Sequence, residues 1–287
     1  MIYLLLSILS STGIFILFKL IDNKQLNVFN IIVINYFIAA ILGFILQTYQ
    51  IQPLNFQTAN WIGYALVIGI LFLTMFYILG LSSQKAGVTK TTISAKLSAI
   101  IPIVFSILID PKDQLNITKI LGITTTIIAI TFTVYKQKSD KRNNKVILLP
   151  IVLFIGMGIV DSLVKYSQSK LIQPEAFSFF TAVLFLISGT TGLLICFLPE
   201  KSIKSVLNLK SLQWGIMLGI TNFGSIYFLL KALSSPLESS IIFGINNLGI
   251  ILLCTLIGIL LFKEKTSLLN KIGIALSFAA IFVLSFA

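Results

Sequence analysis

The chain is 287 residues long, 57% hydrophobic, 10% charged and without histidine, and its mean hydropathy is +1.02. A soluble domain carries about 25% charge, so this composition excludes a soluble globular protein and leaves little chain outside apolar segments of membrane-crossing length. Zinc, haem and Cys–His nucleophile chemistry lack their residues, because Cys196 and Cys254 lie in apolar runs with no histidine and no C-x-x-C beside them. The net charge of +12 comes from lysines dispersed over short connections, a pattern of membrane topology and anionic headgroups rather than of nucleic-acid binding.

From the amino terminus onward, apolar runs predict helices near 2–21, 28–48, 59–81, 88–109, 115–135, 146–166, 175–198, 209–233, 236–262 and 266–286. The start, Met1-Ile2-Tyr3-Leu4, has no basic segment and no small-residue cleavage site before the first loop, so a removable signal peptide is not expected. Turn chemistry fills the breaks: Asp22-Asn23-Lys24-Gln25, Gln52-Pro53-Leu54-Asn55, Asp110-Pro111-Lys112-Asp113, Gln173-Pro174-Glu175 and Pro199-Glu200-Lys201. Backbone groups in hydrocarbon must be satisfied internally, and runs of about 20 residues do this as helices, not as the alternating short strands of a barrel. The expected fold class is an all-α integral membrane protein with ten transmembrane helices.

The most polar stretch, Lys136 through Lys145, falls near the middle of the chain. It divides a first five-helix repeat, 1–136, from a second, 146–287, with 137–145 as a basic connecting loop. Short matches support the division: Trp61 with Trp214, Leu81-Ser82-Ser83 with Leu233-Ser234-Ser235, Lys112-Asp113 with Lys263-Glu264, and Gly122 with Gly273, all offset by 151 to 153 residues. Five spans per half place the second half in the membrane in the opposite orientation. Inverted repeats of this kind recur in secondary transporters, with the substrate site at the repeat interface.

Ala95-Lys96-Leu97-Ser98-Ala99-Ile100-Ile101-Pro102-Ile103-Val104, then Asp113 and Ile120-Leu121-Gly122, resemble the end of an EamA-type half in the drug/metabolite transporter superfamily. In the second half Tyr227, Lys231-Ala232-Leu233, Asn246-Asn247, Lys263-Glu264-Lys265-Thr266 and Ile272-Gly273-Ile274 resemble the same pattern, including its short acidic loop before the last span. The resemblance covers nearly the whole chain. The first half departs from it in having Asp113 where the pattern favours glutamate, and Leu253 stands where the first half has Pro102. The resemblance implies a ten-helix carrier of small metabolites that works by alternating access without ATP hydrolysis.

Polar residues inside the predicted spans are the candidate substrate site. Asn35 on the second span is a cavity candidate against plain interhelical bonding. Lys96 stands about eight residues, or roughly 12 Å, into the fourth span, too deep for an interfacial lysine. It reads as a fixed cation for a carboxylate or phosphate, against a lysine whose stem snorkels to the interface. Thr91, Ser94 and Ser98 add hydroxyls on the same span. Asp161 is the one carboxylate deep within a predicted span; an ion pair with Lys165 at i+4 competes with a proton-coupling role. On the eighth span Asn222 and Tyr227 are further candidates, with Phe72, Phe76, Tyr77, Phe223 and Phe228 as cavity walls or packing, and Gly215-x-x-x-Gly219 marks a close helix contact. The repeat makes Asn247 the counterpart of Lys96, although Asn246 and Asn247 lie about 100° apart and only one can face a given cavity.

No nucleotide-binding G-x-x-x-x-G-K-[ST] occurs, and Asp110 with Asp113 resembles turn chemistry more than a metal site. The chain is therefore expected to be no enzyme and to need no cofactor or metal. It reads as a multi-pass secondary transporter of the cell (cytoplasmic) membrane, moving an amino acid, organic acid or similar metabolite. The alternative is a flippase for a lipid-linked sugar or phosphate, with an intramembrane enzyme or a channel behind it. The expected partners are a small-molecule substrate and the lipid bilayer, not nucleic acid, with a homodimer as a further option. Asn116-Ile117-Thr118 fits a glycosylation acceptor pattern.

Lys19, Lys24, Lys85, Lys90, the Lys136–Lys145 stretch, Lys201, Lys204, Lys210, Lys263, Lys265 and Lys271 fall on one face, against Lys112, Lys119, Lys165, Lys170 and Lys231 on the other. The positive-inside rule puts the richer face in the cytoplasm and both termini outside, whereas the resemblance implies termini inside. A topology reporter fused after Ala287 is expected to read extracytoplasmic, and a cytoplasmic signal would overturn the charge argument.

Overall fold

The computed structural model describes residues 2–46, 61–109, 117–135, 144–172, 176–197, 208–233 and 239–284. The predicted turns at Pro53, Pro111, Pro174 and Pro199, the candidates Asp110, Asp113 and Asn116, and the basic stretch 136–143 lie outside them. Among the described residues every regular element is a helix: α1 (Ile2–Asn23), α2 (Val28–Leu46), α3 (Trp61–Lys85), α4 (Val88–Leu97), α5 (Ile100–Ile109), α6 (Ile117–Val134), α7 (Asn144–Lys170), α8 (Phe177–Cys196), α9 (Leu209–Leu233), α10 (Ser239–Leu260) and α11 (Leu268–Leu284). The basic connecting segment is two residues shorter than expected, because Asn144 and Lys145 already begin α7.

Among the described residues six helices, α1, α2, α3, α7, α8 and α9, are long and apolar enough to cross a bilayer, and α6, α10 and α11 are shorter apolar helices. Ile45, Ile117, Leu148, Leu194 and Leu260 stand exposed on the outside, apolar surface that a bilayer accepts and water does not. The protein is an all-α membrane protein of several spans. Inside, α2 packs on α8 and α9, α1 on α9 and α10, α3 on α7 and α8, α4 on α7 and α10, and α6 on α11. The Gly215–Gly219 pair serves the α9–α2 contact: a Cβ at Gly219 would meet the Ile38 Cβ at 2.6 Å and the Asn35 carbonyl at 2.9 Å.

The predicted fourth helix, 88–109, is broken at Ser98–Ala99 into α4 and α5. Pro102 is the cause, since it has no N–H to bond the Ser98 carbonyl and its ring crowds that position. The chain adapts with a tighter turn, in which the Ile101 amide donates to the Ser98 carbonyl at 2.9 Å, while the Ser98 hydroxyl donates to the Ala95 carbonyl at 2.7 Å.

The α6–α11 pair is fastened by one side chain. Asn270 exchanges bonds with Ser267 to cap α11, its carbonyl accepting from the Ser267 amide at 3.0 Å and its own amide donating to the Ser267 hydroxyl at 3.1 Å. Its side-chain nitrogen donates to the Phe132, Thr133 and Tyr135 carbonyls at 3.0, 2.9 and 3.2 Å, closing the end of α6. Replacing it with alanine strands carbonyls in a buried seam, each costing about 1–3 kcal/mol. Asn270→Ala is expected to lower the melting temperature in detergent clearly below wild type; an unchanged melt would mean that water serves those carbonyls equally well.

Candidate functional site

The site is built around α4. Ahead of it Gly87 adopts φ +106, a left-handed conformation that favours glycine, and turns the chain sharply out of α3. The Thr91 hydroxyl fastens this turn, donating to the Gly87 carbonyl at 2.7 Å and meeting the Ser82 hydroxyl at 2.7 Å. No side chain of α4's own cap serves its first amides. Glu264, from the connection between α10 and α11, does so instead: its carboxylate accepts from the Val88 amide and, at 3.1 Å, from the Thr89 amide. The carboxylate is aimed by the end of α10, where Lys263 adopts φ +50 and the Glu264 amide donates to the Gly258 carbonyl at 2.9 Å.

In its last turn before the break, α4 carries Lys96, half-buried. Asp161 on α7, also half-buried, and the fully buried Cys254 thiol on α10 lie within electrostatic reach of its ammonium. The hydroxyls of Thr12 on α1 and Thr92 on α4 flank the thiol. Four helices, α1, α4, α7 and α10, thus converge on one cation, one carboxylate and one thiol. Lys96 and Asp161 do not form a direct ion pair, and among the described residues neither has a hydrogen-bond partner. The local pair of Asp161 with Lys165 does not form either, and Lys165 is exposed. Residues four apart differ by about 40° around a helix, enough for Asp161 to face α4 while Lys165 faces outward.

The other candidates sort into separate interfaces. Asn35 is wholly buried and Asn222 nearly so, and their amides meet 3.2 Å apart across the α2–α9 contact, with the Asn35 nitrogen 3.1 Å from the Leu218 carbonyl once its amide is oriented to suit its surroundings. Tyr227 stacks on Phe223 at 5.5 Å, lies under the Lys231 ammonium at 5.7 Å, and lines a cleft with Gly43, Thr181 and Phe185. That cleft, of about 40 Å³, has room for a water molecule but not for a metabolite, whose pockets run to about 300–1,000 Å³. Phe72 and Phe76 pack into the core beside Phe185, Phe18 and Tyr36, and the Tyr36 hydroxyl donates to the Phe72 carbonyl at 2.8 Å.

Ser94 is buried with an unpartnered hydroxyl, but it stands two residues from Lys96, about 200° around the helix, and so does not share its face. On α10 the buried amide is Asn246, whose carbonyl has no partner, while Asn247 is half-buried. Sequence reasoning passed over Cys254 as a plain core thiol and missed Glu264 as a cap. Cys254 had a signal, since it follows Asn247 by seven residues on the same helical face. Among the described residues no three His, Cys, Asp or Glu side chains gather as a metal site.

Helices with an apolar outside and a few charges and amides enclosed between them define a multi-pass membrane protein with a polar interior. No family model matches the chain. A protein of Haemophilus influenzae described as uncharacterized is 30% identical over 296 residues, spanning 98% of this chain and 96% of its own length, and the chain belongs to the same family as that protein. A solved structure described only as the crystal structure of a protein has the same fold, with a TM-score of 0.53 and 15% identity over 97% of both chains.

The Asn35–Asn222 contact makes a double-mutant cycle decisive for these two residues. Their alanine variants are expected to be coupled by about 0.6–1.7 kcal/mol, the range of interhelical bonds in membranes. Additive losses of stability would release both amides from a packing role.

Proposed function

We propose that the protein is a secondary transporter of EamA type in the drug/metabolite transporter superfamily, moving a small metabolite bearing a carboxylate or phosphate across the cytoplasmic membrane. One observation carries the reading: Lys96 on α4 and Asp161 on α7 lie within electrostatic reach of each other inside an apolar helix bundle, and no ion pair joins them. A charge at the centre of a membrane helix costs at least about 2.5–3.5 kcal/mol. Two opposite charges held apart there forgo the attraction that contact would return. The gap suits a ligand whose anionic group meets Lys96 and whose ammonium or hydroxyl turns toward Asp161, with Asp161 also the candidate coupling group. Amino acids and hydroxy acids have that form.

The packing supports an architecture of ten transmembrane helices in two inverted repeats. With α4 and α5 counted as one span, exchanging each span with the one five places along maps α1–α9 onto α7–α3, α2–α9 onto α8–α3, and α1–α10 onto α7–α4, while α2–α8, α4–α10 and α6–α11 map onto themselves. The charged site falls on two exchanged pairs, α4 with α10 and α1 with α7, where a carrier of this plan holds its substrate. A flippase for a lipid-linked sugar or phosphate is the second reading. It is favoured by an apolar groove of about 530 Å³ between α1, α10 and α11, lined by Ile8, Leu248, Leu252 and Phe278, in which a lipid tail fits.

Thermal stabilisation of the purified protein by amino acids, organic acids, sugar phosphates and hydrophobic cations tests the reading. A ligand at about a hundred times its Kd adds about 2.7 kcal/mol to the folded state. Stabilisation by an anion or zwitterion is expected in wild type and absent in Lys96→Gln, and Asp161→Asn is expected to abolish uptake driven by a pH gradient. Stabilisation by cations alone, or by anions equally in both proteins, would make Lys96 structural.

A further inference from the structure

We infer that Glu264 is the latch that closes the lysine-rich face of the bundle, releasing α4 when that face opens. The inference rests on the alternating-access reading. It places a positioning residue outside the substrate site, on the connection between α10 and α11. Glu264 follows the end of α10, yet its carboxylate serves α4, accepting from the Val88 and Thr89 amides. The first amides of a helix have no partner within it, and a carboxylate there gains both charged hydrogen bonds and the favourable end of the helix dipole. The two bonds therefore tie the start of α4 to the segment that follows α10.

The seam beneath the latch is tight. A Cβ at Gly87 would lie 2.8 Å from Glu264 Oε1, and one at Gly258 would lie 2.8 Å from Glu264 Oε2 and 2.5 Å from Thr89 Oγ1. Two glycines, one on each side, make room for the carboxylate. Behind it lies Cys254, fully buried, with Thr92 beside it and Glu264 and Lys96 both within its electrostatic reach. The thiol is thus near both the latch and the charged site. Lys96 rides on the same ten-residue helix whose first turn Glu264 holds.

Two cysteines already present report the opening. The full-length protein, in liposomes, is treated with a sulfonated maleimide, and labelling of Cys254 and Cys196 is followed by mass spectrometry of their peptides. Cys196, also buried, ends α8 and serves as the control for general loosening. Glu264→Gln is expected to speed labelling of Cys254 at least about tenfold, a shift of about 1.4 kcal/mol in the opening equilibrium, with Cys196 unchanged. Gly258→Ala, whose methyl displaces the carboxylate from the opposite side, is expected to do the same and decides the matter if Glu264→Gln does not fold. Unchanged Cys254 labelling overturns the latch, as does a parallel rise at both cysteines, which would make Glu264 a plain stabilising cap. Because labelling requires no substrate, failure of the latch and failure of the transport reading are told apart.

Discussion

A helix buried among apolar neighbours leaves four amides at its start and four carbonyls at its end without partners, and hydrocarbon offers none. This protein meets that demand by lending side chains from one helix to the end of another. Glu264 serves the start of α4, Asn270 the end of α6, and Lys19 the end of α3, its ammonium donating to the Gln84 carbonyl at 2.7 Å. Each loan is also a brace, since the group that satisfies the backbone belongs to a different helix. The bundle's polar chemistry is thereby concentrated at a few joints, and its helix faces are left to apolar packing. The same economy explains the break in the fourth span: Pro102 removes one amide, and the Ser98 carbonyl turns to Ile101 instead.

Against that background, satisfied and unsatisfied polar groups mean different things. The Asn35 amide serves the Leu218 carbonyl across α2 and α9, and Asn270 uses both ends of its amide, so these groups are explained by the fold they hold. Lys96 and Asp161 are not explained in that way. Folding alone would favour bringing them into contact or replacing both with apolar residues. Two opposite charges within reach of each other and not joined are what the proposed binding role would use, with a ligand supplying the missing partners.

How much of this was legible in the sequence depends on the range over which each signal acts. Helix bounds were legible to within a few residues, because apolar run length is a local property and the turns between runs carry Asn, Asp, Gly and Pro. The break at Ser98–Ala99 was also written locally, in Pro102, but an uninterrupted apolar run masked it. The charge near Asp161 was misread for the opposite reason: the i+4 rule looks along one helix, whereas the cation within electrostatic reach of Asp161 is Lys96, 65 positions earlier in the chain. Ser94 and Tyr227 were grouped with Lys96 by composition and depth, although helical rotation separates the first and the packing of α9 on α2 the second. Glu264 was noticed as part of a motif, but its task concerns amides 175 and 176 residues away, and no local rule reaches that far.

The proposed latch and the charged site are joined by the mechanics of α4. Ten residues of helix make a rod about 15 Å long, stiff on its own scale because each turn is hydrogen-bonded to the next. One end is held by Glu264 through two amides, and the other ends at the Ser98–Ala99 break, where the ladder of hydrogen bonds is interrupted. On the proposed latch, a rod clamped at one end and hinged at the other would move as a unit when the clamp releases, carrying Lys96, two residues before the break, relative to Asp161 on α7. The separation of the two charges is then coupled to the state of a carboxylate at the far end of the same helix. In such an arrangement a ligand bridging Lys96 and Asp161 and a latch holding Val88 and Thr89 act on one equilibrium, which is what alternating access requires of a site and its gate.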